Sequence, residues 1–224
     1  MSNFEQYLQE SLNKHDPKEI EELILDNLWE KKENFTEEEK SVLEKYTSLI
    51  HLSLNGLSLK SLENFPYIKN LHALSLNDND LNGDDFDLIK NLYPYLHKLK
   101  ITGNKIEKID NLAKLKTHNN LKKIEVKENP FSVGNNKYKE KLFDMLPYVQ
   151  AIDKQTRQGE EIESTDYYNE EAEDDDDEDY NEKSEKSFKN LEKNKNKKTI
   201  DEEEEEENEE ESWEKDEDDE EDED

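Results

Sequence analysis

The sequence contains no cysteine and only five glycines among its 224 residues. The lack of cysteine excludes disulfides, thiolate chemistry and cysteine-based zinc sites. There is no phosphate-binding glycine loop, and no serine lies in a Gly-x-Ser-x-Gly setting. The scattered histidines form no pair at i and i+4, and none has an acidic neighbour that suggests a metal ligand or a general base; they are His15, His51, His72, His97 and His118. We therefore expect a protein that is not an enzyme and holds no metal or cofactor.

Long apolar stretches are also absent. No segment approaches the roughly 18 consecutive apolar residues that a membrane span requires. The polar beginning, MSNFEQYLQESLNKH, lacks the apolar centre of a signal peptide. We expect a soluble intracellular protein with no membrane partner.

Positive charge is scarce in the second part of the chain, and the formal net charge is -31. Residues 1–154 contain 22 basic and 26 acidic residues, whereas residues 155–224 contain 9 basic and 36 acidic residues, a net charge of -27. The first segment is long enough for one hydrophobic core. The second has too few apolar side chains to offset the entropy of ordering. The chain is predicted to be a folded domain over 1–154 and a disordered acidic tail over 155–224.

A repeat organises the folded part. Its pattern is L-x-x-L-x-L-x-x-N-x-L, and it is matched by LHALSLNDNDL (71–81), LHKLKITGNKI (96–106) and LKKIEVKENPF (121–131). LIHLSLNGLSL (49–59) matches with Leu57 in place of Asn, IEELILDNL (20–28) is a degraded copy, and VQAID (149–153) is half a copy. This period predicts an α/β leucine-rich repeat solenoid, a short right-handed horseshoe with a parallel concave sheet.

Asn79, Asn104 and Asn129 are interpreted as structural turn residues, since a buried asparagine can satisfy backbone groups where the chain leaves each strand. This explains the calcium-like spacing of NDNDLNGDDFDLI (77–89), which has Ile89 where calcium needs a carboxylate. Gly83 is expected in the loop to the convex side. Asp84 is expected to cap a helix that carries Phe86, Ile89 and Leu92.

A solenoid must be capped at both ends. Phe4, Leu8 and Leu12 predict an N-terminal capping helix, and Thr36 with Glu39 predicts a capping box. Inward-facing positions are expected at Val42, Leu43 and Tyr46. A closing helix that ends at Pro147 is indicated by Tyr138, Leu142, Met145 and Leu146.

The concave face is the candidate partner surface, because positions three, five and seven of each repeat alternate with buried positions. These positions are Glu22, Ile24, Asp26, His51, Ser53, Asn55, Ala73, Ser75, Asn77, Lys98, Lys100, Thr102, Lys123, Glu125 and Lys127. The first strand is acidic and the last two are lysine-rich. The face is either simply solvated or a polar partner surface, which could also dock the acidic tail. Ile24 is either an anchor or part of a cap contact.

Three acidic blocks dominate the tail: 174–180, 201–211 and 216–224. Such blocks attract basic proteins, histones above all, and repel nucleic acid. The alternative is a tail that only solubilises. Among the aromatic residues near these blocks, Tyr180 and Trp213 are candidate anchors, with Trp213 preferred.

Between the acidic blocks lies KSEKSFKNLEKNKNKK (183–198), with seven lysines. It is either a nuclear localisation signal or a local counter-charge. Thr199 precedes acidic residues and is a candidate phosphorylation site.

The chain resembles the acidic leucine-rich nuclear phosphoprotein 32 family. The resemblance is carried by EELILDN (21–27), LSLNDNDLNG (74–83), LKITGNKIEKIDNLAKLKTHNNLKKIEV (99–126), KLFDMLPYVQAID (141–153) and the acidic tail. It implies histone binding or chaperoning, inhibition of protein phosphatase 2A, traffic between nucleus and cytoplasm, and scaffolding in transcription and messenger RNA export. It brings no catalytic residues. The chain departs from the family pattern in its basic concave surface, at Lys98, Lys100, Lys123 and Lys127, and in Pro130 after Asn129.

The sequence thus favours a monomeric, non-enzymatic, histone-binding regulator of chromatin and transcription. One alternative is an inhibitor of protein phosphatase 2A. Another is a leucine-rich adaptor in RNA processing or export, against which the acidic tail argues because ribonucleoprotein has the same charge sign.

Overall fold

A computed structural model describes residues 3–29 and 31–162. The strands in these ranges are β1 (Glu22–Ile24), β2 (His51–Ser53), β3 (Ala73–Ser75), β4 (Lys98–Lys100), β5 (Lys123–Glu125), β6 (Ala151–Ile152) and β7 (Gln155–Thr156). The helices are α1 (Asn3–Ser11), α2 (Glu37–Leu43), α3 (Leu88–Leu92) and α4 (Tyr138–Met145), with 3₁₀ helices over Pro17–Glu19 and Ile109–Thr117. No helix in this part of the chain has the length and apolarity needed for a membrane span.

The strands form one sheet in the order β1 to β7, parallel from β1 to β6, with β7 antiparallel to β6. Equivalent repeat positions lie side by side in this sheet. The central residues of β1 to β5 are buried, and together with Ile152 of β6 they form one apolar row: Leu23, Leu52, Leu74, Leu99, Ile124 and Ile152. The predicted leucine-rich repeat solenoid with a parallel sheet is therefore confirmed.

Strands β1 to β5 are three residues long, and after each of them the chain turns sharply at repeat position eight. The residues there all have positive φ, namely Asn27 (55°), Gly56 (67°), Asp78 (55°), Gly103 (67°) and Glu128 (60°). At the two glycines, a larger side chain would meet a polar side chain of the preceding repeat. A Cβ on Gly103 would lie 2.4 Å from Asp78 Oδ1, and one on Gly56 would lie 2.2 Å from Asn27 Oδ1.

The N-terminal cap follows the prediction. Helix α1 buries Phe4 and Leu8, and Leu12 follows its last residue in a half-buried position. Helix α2 starts with the predicted capping box, in which Glu39 N–H donates to Thr36 Oγ1 at 3.2 Å and Thr36 N–H donates to Glu39 Oε2 at 2.9 Å. The expected inward residues of this region are buried: Val42, Leu43 and Tyr46.

The C-terminal cap is helix α4, which ends at Met145, two residues before Pro147. Tyr138 is the first residue of α4, and its hydroxyl donates to Asp153 Oδ2 at 2.5 Å. Oδ1 of the same carboxylate accepts from Val126 N–H at 2.7 Å. Asp153 therefore ties α4 to the end of the parallel sheet.

The prediction that Asp84 caps a helix is wrong. Helix α3 begins only at Leu88, and Asp87 occupies its N-cap position without a side-chain capping bond. Asn82 holds residues 82–84 in a turn instead, because its Oδ1 accepts from Asp84 N–H at 3.0 Å. The Asp84 carboxylate accepts from Asn82 Nδ2 at 2.8 Å. The three apolar positions expected on this segment are nevertheless buried: Phe86, Ile89 and Leu92.

Candidate partner-binding surface

The strand register places the candidate residues in three rows across one face of the sheet. The first row is Glu22, His51, Ala73, Lys98 and Lys123; the second is Ile24, Ser53, Ser75, Lys100 and Glu125. The third row follows the strands, at Asp26, Asn55, Asn77, Thr102 and Lys127. The structure therefore brings all of these residues onto one surface. That they contact a partner remains a prediction.

The two ends of this face carry opposite charge. At the β1 end, Glu22 Oε1 lies 2.7 Å from His51 Nδ1. At the β4–β5 end, Lys98 Nζ lies 3.4 Å from Glu125 Oε1. Lysines prevail at that end of the face, at Lys98, Lys100, Lys123 and Lys127. The charge gradient read from the sequence thus runs across the sheet itself.

A polar ladder joins the third row to the backbone. Asp26 Oδ1 accepts from Asn55 N–H at 2.9 Å, and Asn55 Oδ1 accepts from Asn77 N–H at 2.7 Å. The hydroxyls of Ser53 and Ser75 donate into the same ladder, to Asp26 Oδ1 at 2.7 Å and to Asn55 Oδ1 at 2.8 Å. We call these five residues the concave polar ladder.

The concave polar ladder gives part of the candidate surface a structural role that the sequence analysis missed. Ser53 and Ser75 are only 5% and 4% exposed. The sequence contained a signal for this ladder, because repeat position seven has a short polar side chain in four successive repeats: Asp26, Asn55, Asn77 and Thr102. The first three of these side chains each accept a hydrogen bond from a backbone N–H of the next repeat.

Repeat position nine forms a second and fully buried row, Asn79, Asn104 and Asn129, which we call the asparagine row. Asn104 Oδ1 accepts from Leu81 N–H at 3.0 Å, and its Nδ2 donates to Leu76 C=O at 2.8 Å. Asn79 and Asn129 make equivalent bonds. These side chains link consecutive repeats inside the domain and lie off the candidate surface.

Among the histidines of the described ranges, His51 has a carboxylate neighbour, Glu22, which the sequence analysis did not expect. His72 and His97 stack with their ring centroids 5.1 Å apart, and burial lowers the pKa of His97. His118 is buried with its Nε2 3.0 Å from Tyr93 C=O, and burial lowers its pKa to about 4. Within residues 3–29 and 31–162, no group of three His, Cys, Asp or Glu side chains could hold a metal ion.

The candidate residues of the tail lie outside the described residues. These are the anchors Tyr180 and Trp213, the phosphorylation candidate Thr199 and the lysine-rich segment 183–198. Their proposed roles stay predictions, as does the domain boundary after residue 154.

Comparison with known proteins gives a consistent result. The leucine-rich repeat family matches residues 31–177. The chain is 35% identical over 158 residues to an acidic leucine-rich nuclear phosphoprotein 32-related protein of Plasmodium falciparum, which covers 70% of this chain and 55% of that protein. It is 34% identical over 121 residues to the acidic leucine-rich nuclear phosphoprotein 32 family member A of Drosophila melanogaster, covering 54% of this chain and 45% of that protein.

A third relative has a different name. A protein of Tetrahymena thermophila that is named as a histone is 29% identical over 127 residues, which covers 57% of this chain and 32% of that protein. The chain spans about half the length of the two nuclear phosphoprotein relatives. The resemblance seen in the sequence is confirmed by relatives that carry the family's name, and this chain belongs to the leucine-rich repeat family.

Proposed function

We propose that this protein is a non-enzymatic histone-binding protein that holds histones, or other basic proteins, with its acidic tail and its concave repeat face. The observation that carries the proposal is the net charge of -27 over residues 155–224, attached to a repeat domain whose own net charge is only -4. A charge of this density attracts lysine- and arginine-rich proteins by Coulomb force with little demand for geometry.

The names of the relatives support this proposal. Two of them are called nuclear phosphoproteins, which fits a protein that works in the nucleus. A third is itself called a histone, so a segment similar to this chain forms part of a histone polypeptide in that organism.

The charges also define a mechanism. The tail carboxylates compete with nucleic-acid phosphates for the same basic side chains, so a histone bound here is kept from non-specific contacts with DNA. The repeat domain adds a rigid surface with acidic and basic ends, which can orient a partner. Nothing in this mechanism requires a covalent step.

The test is calorimetry of the full-length protein with purified core-histone dimers and tetramers across a salt series. One variant changes the glutamates of 201–211 to glutamine, and a second is Trp213→Ala, with Tyr180→Ala as its aromatic comparison. We expect the neutralised variant to bind at least about tenfold more weakly at low salt, because the attraction is electrostatic. A specific anchor at Trp213 predicts weaker binding that persists at moderate salt.

Equal affinity of the neutralised variant and the parent protein would overturn the proposal. We would then assign the function to the repeat domain. Inhibition of protein phosphatase 2A without histones, which the family resemblance implies, would become the function to measure.

A further inference from the structure

Strand β1 is an open edge of the sheet. Within residues 3–29 and 31–162, it pairs with β2 on one side only. Among the helices and strands of the described ranges, β2 is also the only element that packs against it, since α1 contacts α2 instead. An edge strand presents backbone hydrogen-bonding groups that can pair with another chain.

The hydrogen bonds to β2 show which backbone groups remain at this edge. Glu21 C=O accepts from His51 N–H at 3.0 Å, and Leu25 N–H donates to Ser53 C=O at 2.9 Å. Because peptide groups alternate in direction along a strand, the N–H and C=O groups of Glu22 and Ile24 point away from β2. No other segment within residues 3–29 and 31–162 bonds to them.

The side chains at this edge combine acidic groups with one exposed apolar group. Ile24 is 60% exposed, although its neighbour in the same row, Ser53, is buried. Natural edge strands are commonly protected by short length, charged side chains, a bulge or a proline. Strand β1 is short and acidic, so it repels a second acidic strand but attracts a basic one. Here the acidic side chains Glu19, Glu21 and Glu22 lie exposed beside the apolar one.

We infer that β1 is a docking site for an extended basic segment of a partner protein, which adds to the sheet as a further strand. The segment's backbone would bond to Glu22 and Ile24, and one of its apolar side chains would pack on Ile24. Its lysines or arginines would alternate with the apolar side chains and lie on the other face of the strand, toward the exposed Glu21. The inference rests on the proposed function, since it gives the basic partner a folded contact in addition to the acidic tail.

Amide hydrogen exchange of the full-length protein tests the inference residue by residue. The probe is a short synthetic peptide in which valine alternates with lysine and arginine. On saturation we expect the amides of Glu22 and Ile24 to exchange at least about tenfold more slowly, because they become hydrogen-bonded. A peptide held only by the acidic tail would leave these amides unchanged and would overturn the inference, while the proposed function would stand.

Two methylated peptides separate strand addition from simple charge attraction. Each carries N-methyl groups at every second backbone nitrogen, in opposite phases, with the same sequence and charge. Only one phase should abolish the protection at β1, because alternate N–H groups face the edge. Equal protection by both peptides, or by neither, would overturn the inference.

A matched pair of substitutions tests the apolar contact. Ile24→Ala should reduce the affinity of the β1-bound peptide about tenfold, because it removes exposed apolar area at the contact. Val133→Ala removes a comparably exposed side chain, 71% exposed, in a loop before α4 and should leave the affinity unchanged. An equal effect of the two substitutions would contradict a specific contact at Ile24. If protection at β1 persists while histone binding is insensitive to the tail's charge, the inference stands and the proposed role of the tail fails.

Discussion

The asparagine row and the concave polar ladder use one device in two environments. In both, a short polar side chain of one repeat bonds to the backbone of a neighbouring repeat, the preceding one in the asparagine row and the following one in the concave polar ladder. Asn79, Asn104 and Asn129 are almost entirely buried, whereas Asp26, Asn55 and Asn77 are half-buried on the open face. Access to water is the main difference, so one row should govern stability and the other should leave its side chains within reach of a partner.

An Asn→Ala substitution in each row measures this difference. Asn104→Ala should cause the largest loss in the free energy of unfolding. It leaves Leu81 N–H and Leu76 C=O in the interior without their partner. The cost should be about 4 kcal/mol in the free energy of unfolding, because unpaired buried groups carry a full desolvation penalty. Urea denaturation of the full-length protein measures it, with the exposed Asn119→Ala as the control.

A third side chain that links consecutive repeats is a buried histidine, whose charge depends on pH. His118 links consecutive repeats through its Nε2 and Tyr93 C=O, and burial lowers its pKa from 6.5 to about 4. Between these pH values the unfolded chain binds a proton that the folded protein does not. The free energy of unfolding therefore falls as the pH decreases from 6.5 to 4, by on the order of 3 kcal/mol, and the contribution is fully present above that window.

His118→Gln tests this assignment, because glutamine keeps a donor for Tyr93 C=O and does not titrate. The variant should lose less stability than the parent protein between pH 6.5 and 4, as measured by urea denaturation at several pH values. The carboxylates of the tail are present in both proteins, so their contribution cancels in the difference. Parallel pH profiles of the two proteins would show that the burial of His118 has no energetic consequence.

Asn55→Ala is the smallest of the three effects. Asn55 Nδ2 donates to Asp26 Oδ2 at 3.0 Å and Asn55 Oδ1 accepts from Asn77 N–H at 2.7 Å, but water can reach these groups. The cost should be about 1 kcal/mol, because solvent replaces much of what is lost. If Asn55→Ala costs as much as Asn104→Ala in the same assay, the distinction between the two rows is wrong.

Much of the fold could be predicted from the sequence because the repeat pattern specifies it. The period fixes which leucines are buried, and the position-nine asparagines and the capping box at Thr36 follow from local pattern. The prediction that Asp84 caps a helix failed because Asn82 and Asp84 are both polar residues that can start a local turn. In the structure Asn82 does so, since its Oδ1 accepts from Asp84 N–H. The repeat pattern predicted that the candidate residues share one face of the sheet. It did not predict that Ser53 and Ser75 form hydrogen bonds within the concave polar ladder.

What the sequence by itself determined is the repeat, the acidic tail and the opposite charges at the two ends of the concave face. Only the tertiary structure decided that β1 is an open edge, that His118 is buried and that position seven forms a ladder. These features depend on hydrogen bonds and packing between consecutive repeats. The ladder, for example, joins neighbouring repeats through residues 20 to 29 positions apart in the chain, and no local pattern specifies the partner of each group.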